Sequence, residues 1–212
     1  MIFDLDGVLV DSEHVWDAAR RQLTEESGGR WGERATEDMM GMSSTEWSRY
    51  MHEQLGVPMA PKEISAAVVE RLENLYRQRL PLLPGAREAV ERLAARWPLG
   101  LASSANRPVI DLVLELSGTK DRFEATVSSE EVARGKPVPD VYLEAARRLN
   151  VEPELCAAVE DSGSGILSAH AAGMRVVAIP NRRFPPPEAA QEAADTVIPS
   201  LAELDENTVA AL

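Results

Sequence analysis

The sequence contains little positive charge and only one cysteine. Lys and Arg number 22 against 35 Asp and Glu, which gives a formal net charge of −13 at pH 7. This acidic balance argues against nucleic acid and anionic membranes as partners. It leaves room for a local phosphate site, because charges are screened beyond about 8 Å at physiological salt. The lone Cys156 cannot form an intrachain disulfide, and its apolar neighbours predict a core residue.

Long apolar runs and a secretory signal are also absent from the sequence. No segment approaches the roughly 20 apolar residues that span a bilayer, and no basic segment followed by an apolar one opens the chain. We therefore expect a cytoplasmic protein with no membrane partner. Its three histidines, His14, His52 and His170, lack metal-ligand spacing and are expected to be structural. The 212 residues can bury a core as one large domain or two smaller ones.

Two carboxylates stand two residues apart at the end of the first apolar run. If residues 1–5 form a β-strand, Asp4 and Asp6 point roughly the same way at its carboxyl end, and Gly7 allows a sharp turn. One carboxylate could then attack an electrophilic centre while the other moves protons. An apolar strand that merely enters an Asp-Gly turn is the alternative. A calcium loop does not match, because Gly7 directly follows the second Asp.

The pattern of apolar residues changes near residue 80. Residues 12–79 read as helical, and the clearest helix carries Ile64, Val68 and Leu72 on one face after Pro61. Beyond residue 80, short apolar strands alternate with amphipathic helices. We expect strands at 99–102, 125–127, 156–159, 175–179 and 196–198, and helices at 85–96, 108–117, 139–149 and 165–172.

This alternation predicts an α/β fold with a parallel sheet covered on both faces. The predicted core is residues 1–11 and 80–212, and the helical domain of residues 12–79 is inserted into it. In such sheets the ligand crevice lies beyond the carboxyl ends of the strands. Polar residues follow the predicted strands at Asp4 and Asp6, at Ser103 and Ser104, and at Glu160 and Asp161.

Four motifs carry a family resemblance that covers most of the chain. They are Asp4-Leu5-Asp6-Gly7, Leu101-Ala102-Ser103-Ser104, Arg134-Gly135-Lys136-Pro137-Val138-Pro139-Asp140, and Val159-Glu160-Asp161-Ser162 with Gly165-Ile166. In this order they resemble the haloacid dehalogenase superfamily, which is dominated by phosphohydrolases. The resemblance implies a Rossmann-like parallel sheet with helices on both faces. It also implies that residues 12–79 are an all-helical cap, as in the branch of β-phosphoglucomutase and many sugar phosphatases.

The resemblance also implies a role for each motif residue. Asp4 would be the nucleophile that forms an aspartyl-phosphate, and Asp6 would be the acid and base. Lys136 would neutralise charge on the nucleophile and the phosphoryl oxygens. Phosphate or substrate binding is implied for Ser103, Ser104, Asn106 and Lys136. Mg²⁺ binding is implied for Glu160 and Asp161, together with the Asp4 side chain and the Asp6 carbonyl.

Electrostatics favours a metal independently of the resemblance. Two like charges about 4 Å apart repel by about 4 kcal/mol at an effective dielectric of about 20. Lys136 can offset only one of the four carboxylates, so a divalent cation would supply the missing charge. An all-oxygen ligand set suits Mg²⁺ better than zinc.

Each of these residues also has a structural interpretation. Ser103 and Ser104 could cap a helix before Pro108, and Lys136 could be a solvated loop charge. Glu160 and Asp161 could cap the helix that contains Gly165. The four motifs together favour the catalytic interpretation.

Two departures narrow the function. The dehalogenases that name the superfamily lack the second aspartate and use no metal, so Asp6 favours phosphoryl chemistry. The mutase keeps a histidine and an arginine where this chain has Trp16 and Ser44.

Family members usually carry several residues before the first motif, so either the first strand is short or Met1 is an internal start.

We therefore predict a magnesium-dependent phosphatase that acts on a small phosphate ester, expected to be a sugar phosphate, and that works as a monomer. A β-phosphoglucomutase-like sugar phosphomutase is the first alternative. A non-catalytic protein that binds a phosphorylated ligand in the same pocket is the second. The intact catalytic groups count against that second alternative.

Overall fold

The computed structural model describes residues 1–40, 42–181 and 185–212, and within them six strands form one parallel sheet. The strands are β1 (Ile2–Phe3), β2 (Leu99–Ser103), β3 (Phe123–Ser128), β4 (Ala157–Glu160), β5 (Arg175–Ala178) and β6 (Thr196–Val197). Their spatial order is β3-β2-β1-β4-β5-β6, and every neighbouring pair is parallel. The predicted α/β class is confirmed.

The strand order reverses at β1. From β1 the chain moves outward to β2 and β3, then returns to β4 on the other side of β1 and continues to β5 and β6. A crevice forms at such a switch point, beyond the carboxyl ends of the two strands. The switch therefore places the residues that follow β1 beside those that follow β4.

Helices fill both the insertion and the connections between strands. The insertion holds α1 (Glu13–Glu26), α2 (Ala35–Met39), α3 (Ser44–Glu53) and α4 (Pro61–Gln78). The later connections hold α5 (Ala86–Ala94), α6 (Arg107–Ser117), α7 (Asp140–Leu149), α8 (Gly163–Ala171) and α9 (Glu188–Gln191), and α10 (Glu206–Ala210) follows β6. Every helix and strand expected from the sequence is present, with boundaries that differ by a few residues. None of the described helices is both long enough and apolar enough to cross a membrane.

Local chemistry explains several of these boundaries. Pro61 begins α4, where its missing N–H costs no helical hydrogen bond. Ser43 and Glu46 form a capping box before α3, with the Ser43 N–H donating to Glu46 at 2.8 Å. The expected strand over residues 1–5 is shorter, because Gly7 turns the backbone at a φ of +78°.

Side chains of adjacent strand residues enter two different apolar clusters, one on each face of the sheet. Ile2 lies in the cluster under α7 and α8, while Phe3 lies in the cluster under α5 and α6. Cys156 is buried in the first of these, as predicted. Helices therefore cover both faces, which confirms the predicted layers.

The cluster that contains Phe3 continues into the insertion. It includes Trp47, Met51 and Leu72 together with the sheet residues Leu99 and Val159. Helix α4 packs against α6, which makes this connection. The insertion and one face of the sheet therefore share one buried apolar region.

Candidate active site

The carboxylates of the first and fourth motifs meet beyond the ends of β1 and β4. Ligand oxygens of Asp4, Glu160 and Asp161 all lie within 4.8 Å of one another, and all three residues are buried. The parallel pairing of Phe3 with Val159 sets this approach, since β1 ends at Phe3 and β4 ends at Glu160. The predicted convergence of distant motifs is therefore present in the fold.

Lys136 lies between two of these acids. Its Nζ is 2.6 Å from Asp4 Oδ1 and 2.6 Å from Glu160 Oε1, and it lies 5.0 Å from the centre of the Tyr142 ring. Burial alone would lower the pKa of Lys136, but the two carboxylates raise it above its ordinary value, so the ammonium stays charged. Lys136 is thus a buried ion-pair partner, which excludes the solvated-loop alternative.

Glu160 is occupied by donors from the protein itself. Its Oε1 accepts from Lys136 and from the Tyr142 hydroxyl at 2.8 Å. Its Oε2 accepts from the N–H groups of Asp161 and Ser162 and from the Ser162 hydroxyl. Five donors leave little capacity for a metal, and Glu160 does not line the cavity described below. Glu160 therefore orients Lys136 and the turn after β4, and its predicted metal-binding role stays a prediction.

Of Glu160 and Asp161, only Asp161 lines the cavity described below. Its carboxylate accepts no hydrogen bond from any described residue, and it lies so close to Gly7 that a Cβ there would be 1.8 Å from Asp161 Oδ2. Burial, with Glu160 and Asp4 adding to it, raises the pKa of Asp161 well above its usual value. Ser162, rather than Glu160 or Asp161, caps α8.

The cluster fits a bound cation. Burial raises the pKa of Asp4 to about 8, and Lys136 offsets only part of this effect. Charged carboxylates at Asp4, Glu160 and Asp161 would leave two negative charges uncompensated after Lys136 is counted. The donors are all oxygen, which matches a hard divalent ion. The described residues can therefore hold a metal between Asp4 and Asp161.

Asp6 is held by an indole rather than by a cation. Trp16 Nε1, in the first turn of α1, donates to Asp6 Oδ1 at 3.0 Å. Burial raises the pKa of Asp6, and this hydrogen bond opposes the rise. The indole can donate its hydrogen bond but cannot exchange a proton near neutral pH, so Asp6 is the titratable member of the pair.

The predicted polar residues after β2 divide between two locations. Ser104 lines the cavity, whereas Ser103 is buried and its Oγ accepts from the Ala105 N–H at 3.0 Å. Asn106 is turned away from the cavity lining, and its Nδ2 donates to Glu130 at 2.8 Å and to Ser65 at 3.2 Å. The phosphate-binding role of Ser103 and Ser104 and the substrate role of Asn106 stay predictions. Neither serine caps α6, because Asn106 occupies that position.

A cavity of about 810 Å³ opens onto this group of residues. Its volume is sufficient for a small phosphorylated metabolite. The part nearest the carboxylates is lined by Asp4, Asp6, Lys136 and Asp161. The insertion contributes Glu13, Trp16, Arg20, Glu37, Met39, Met40, Met42 and Trp47 to the lining. Residues of the insertion and of the sheet core therefore share one cavity.

Several contributors could not be identified from the sequence. Trp16 stands out in the sequence only as a departure from the mutase, and no sequence signal singles out Tyr142. The hydrogen bonds of these two residues depend on side-chain directions after folding. A tryptophan one turn into the helix that follows the Asp4-Asp6 segment is the one signal that could have suggested the contact with Asp6.

Gly165 offers a test of the Glu160 geometry. A Cβ on Gly165 would lie 1.8 Å from Glu160 Oε1, whose position Lys136 and Tyr142 fix. We expect Gly165→Ala to lower the free energy of unfolding by about 1–3 kcal/mol and to reduce hydrolytic activity at least about tenfold. Chemical denaturation and steady-state kinetics measure the two effects.

Gly32→Ala is the matched control, because a Cβ at Gly32 meets no atom within 4 Å. It should leave both quantities nearly unchanged. Wild-type activity in Gly165→Ala would show that the position of Glu160 does not govern the site.

Comparisons with known proteins identify the family. Residues 1–179 match the family model described as haloacid dehalogenase-like hydrolase. The chain is 35% identical to hexitol phosphatase B from Escherichia coli (strain K12) over 213 residues, covering 96% of this chain and 92% of that protein.

Solved structures agree as well. CbbY from Rhodobacter sphaeroides in complex with phosphate superposes with a TM-score of 0.85 at 27% identity, over 96% of this chain and 94% of that one. A putative β-phosphoglucomutase from Thermotoga maritima gives a TM-score of 0.76 at 29% identity, over 100% and 98% of the two chains. The chain therefore belongs to the haloacid dehalogenase-like hydrolases.

Proposed function

We propose that this hydrolase is a magnesium-dependent phosphatase that releases phosphate from a small phosphorylated metabolite of the sugar or sugar-alcohol class. The observation that carries the proposal is the contact of Lys136 with Asp4 beside Asp161, in a cavity that also holds Asp6. The similarity to hexitol phosphatase B supports the substrate class.

Asp4 is the nucleophile in this proposal. Its Oδ1 is held by Lys136, so Oδ2 is the oxygen available for attack on phosphorus. The new Asp4–phosphorus bond forms as the bond from phosphorus to the leaving alcohol breaks. Asp6 gives its proton to that alcohol, and then takes a proton from the water that cleaves the aspartyl-phosphate. Lys136 neutralises negative charge on the phosphoryl oxygens during both steps.

Asp4 and Asp161 are the side chains that would hold Mg²⁺, together with the Asp6 carbonyl. A bound magnesium ion supplies charge neutralisation and alignment of the phosphoryl group. Glu160 supports the ion indirectly, because its own oxygens are taken by Lys136 and by the turn after β4.

A phosphate-release screen tests the function. Sugar phosphates, sugar-alcohol phosphates and nucleotides are offered with Mg²⁺ and with EDTA. We expect release from at least one sugar or sugar-alcohol phosphate, and its loss in EDTA. If no ester is hydrolysed with Mg²⁺ present, the proposed function is wrong.

A sugar phosphomutase is a second candidate, which the similarity to the putative β-phosphoglucomutase favours. Two contacts oppose it. Trp16 stands where the mutase has a histidine, and Ser44, which replaces an arginine, donates its hydroxyl to Glu130 at 2.9 Å. Isomerisation of a sugar phosphate in the presence of a bisphosphate activator would support the mutase, whereas release of free phosphate alone would dismiss it.

Residues 12–79 act as the cap of this enzyme in our proposal. They contribute a large part of the cavity lining and exclude water from the reacting groups. One polar contact between cap and core is made by Glu130, whose Oε1 accepts from Ser44 of α3 and from Asn106 of α6. The cytoplasmic location and the monomeric state stay predictions from the sequence.

Removing the Glu130 carboxylate should weaken the seating of the cap. Glu130→Ala deletes the acceptor shared by Ser44 and Asn106, so we expect KM to rise about tenfold, the equivalent of one charged hydrogen bond. Glu131→Ala is the control, since Glu131 pairs with Arg107 and Arg148 of the core only. Steady-state kinetics should show an unchanged KM in that control. Equal KM values in the two variants would contradict the role of Glu130 in positioning the cap.

A further inference from the structure

Arg20 of α1 is a buried cation that lies near acidic side chains but forms an ion pair with none of the described ones. Its guanidinium carbon lies 4.9 Å from the centre of the Trp16 ring and 5.0 Å from that of Trp47, and the residue is 8% exposed. It forms no ion pair or side-chain hydrogen bond with any described residue, and its Nε is buried without a partner. Arg20 also lines the cavity that holds Asp4.

The two indoles contact this guanidinium from one side, because their ring centres lie only 6.0 Å apart. The guanidinium forms its hydrogen bonds through the N–H groups at the edges of its plane. Those edges match the oxygens of a carboxylate or phosphate in two parallel hydrogen bonds. A buried guanidinium with unused donors lacks the partner that buried charges ordinarily have.

Nearby protein carboxylates do not fill this role. Asp6 accepts from Trp16, and Asp17 accepts from Thr36. Glu13 lies two helical turns before Arg20 and lines the same cavity, but it forms no ion pair with Arg20. Burial lowers the pKa of Arg20 to about 10, with these acids opposing the change, so the side chain remains charged at neutral pH.

The position of Arg20 relates it to the leaving group. Trp16 donates to Asp6 through its Nε1 and contacts Arg20 through its ring, so one indole separates the proposed acid from the guanidinium. A leaving group that receives its proton from Asp6 would extend past this indole within the same cavity. Its far end would then come within reach of Arg20.

We propose that Arg20 binds a second anionic group of the substrate, a carboxylate or a second phosphate, at the end remote from the scissile phosphate. This inference rests on the proposed phosphatase function and predicts that esters with a second anionic end are preferred within its substrate class. A neutral hydroxyl could accept one hydrogen bond from Arg20, but it would not form an ion pair with the guanidinium.

Two esters that differ at one carbon test the preference. 6-Phosphogluconate carries a carboxylate where glucitol 6-phosphate carries a hydroxymethyl group. Wild-type protein should hydrolyse the first with a kcat/KM at least tenfold higher. Arg20→Gln should remove most of this ratio through a higher KM for 6-phosphogluconate, so that the two esters are hydrolysed with similar kcat/KM values. Fructose 1,6-bisphosphate against fructose 6-phosphate distinguishes a second phosphate from a carboxylate.

Two further variants control for folding and charge. Arg20→Lys keeps the positive charge and should retain part of the preference, while losing the paired hydrogen bonds. Arg49→Gln removes an exposed arginine of α3 and should leave kcat/KM unchanged for both esters. An equal loss on both esters in Arg20→Gln, or equal wild-type hydrolysis of both, would mean that the stack with Trp16 and Trp47 is purely structural and would overturn the proposal.

Binding to an inactive protein separates this proposal from the function. In the Asp4→Asn background, 6-phosphogluconate should raise the melting temperature more than glucitol 6-phosphate does, and Arg20→Gln should abolish the difference. If the ligand binds in this way but the wild type hydrolyses no ester, the Arg20 site is supported and the phosphatase function is wrong. If the wild type hydrolyses esters but Arg20→Gln has no effect, the phosphatase function is supported and the Arg20 site is wrong.

Discussion

Replacing Asp4 with asparagine is expected to reduce phosphate release at least about 10⁴-fold, because the variant loses the oxygen that attacks phosphorus. The amide has the same shape, and its oxygen can still accept from Lys136, which keeps its 2.6 Å contact with Glu160. The change also removes one negative charge from a crowded group of acids. We therefore expect the metal-free variant to melt no lower than the metal-free wild type.

Acid-quenched reactions with a ³²P-labelled ester that the wild type hydrolyses give a second measurement. Label should remain on the wild-type protein and be absent from Asp4→Asn. Asp121→Asn, at an exposed position on the core, is the control and should behave as the wild type does. Turnover near the wild-type rate in Asp4→Asn would show that Asp4 is not the nucleophile.

Replacing Lys136 with methionine should damage both catalysis and stability. The ammonium compensates Asp4 and Glu160, and its loss leaves those carboxylates buried without a cation. Removing one partner of a buried ion pair costs about 3–5 kcal/mol of unfolding free energy. Loss of charge neutralisation at the phosphoryl group should lower kcat about 10²–10³-fold.

Unfolding in urea with EDTA and with Mg²⁺ measures the stability effect. The loss should be larger in EDTA, because a bound divalent ion partly replaces the missing charge. Lys120→Met removes an exposed lysine from the core and serves as the control. If Lys136→Met were as stable in EDTA as Lys120→Met, the ion pairs of Lys136 would contribute nothing to the fold.

The order of elements and the location of the site could be predicted from the sequence. Apolar periodicity is a property of local segments, and the carboxyl ends of parallel strands meet at one edge of a sheet. These two facts placed Asp4 and Asp161 together without coordinates. The contact of Lys136 with Asp4 joins residues 132 positions apart, and only the resemblance to a family indicated it.

Side-chain partners could not be predicted in the same way. Val15, Ala19 and Leu23 are an apolar face of α1, but Trp16 and Arg20 are buried too, because this helix contacts both the other helices and the cavity. Charge normally marks an exposed position, so a pattern of hydropathy cannot reveal a buried arginine. The five donors to Glu160 depend on a turn geometry that the motif itself does not encode.

The apolar region shared by the insertion and the sheet limits how a ligand enters. Swinging four helices away as a rigid body would hydrate the contact between α4 and α6, at about 25 cal/mol for each Å² exposed. Small rearrangements near the rim avoid that expense. The ester should therefore enter through movements of a few side chains at the rim of the cavity. Most of the shared apolar region should stay buried throughout each catalytic cycle.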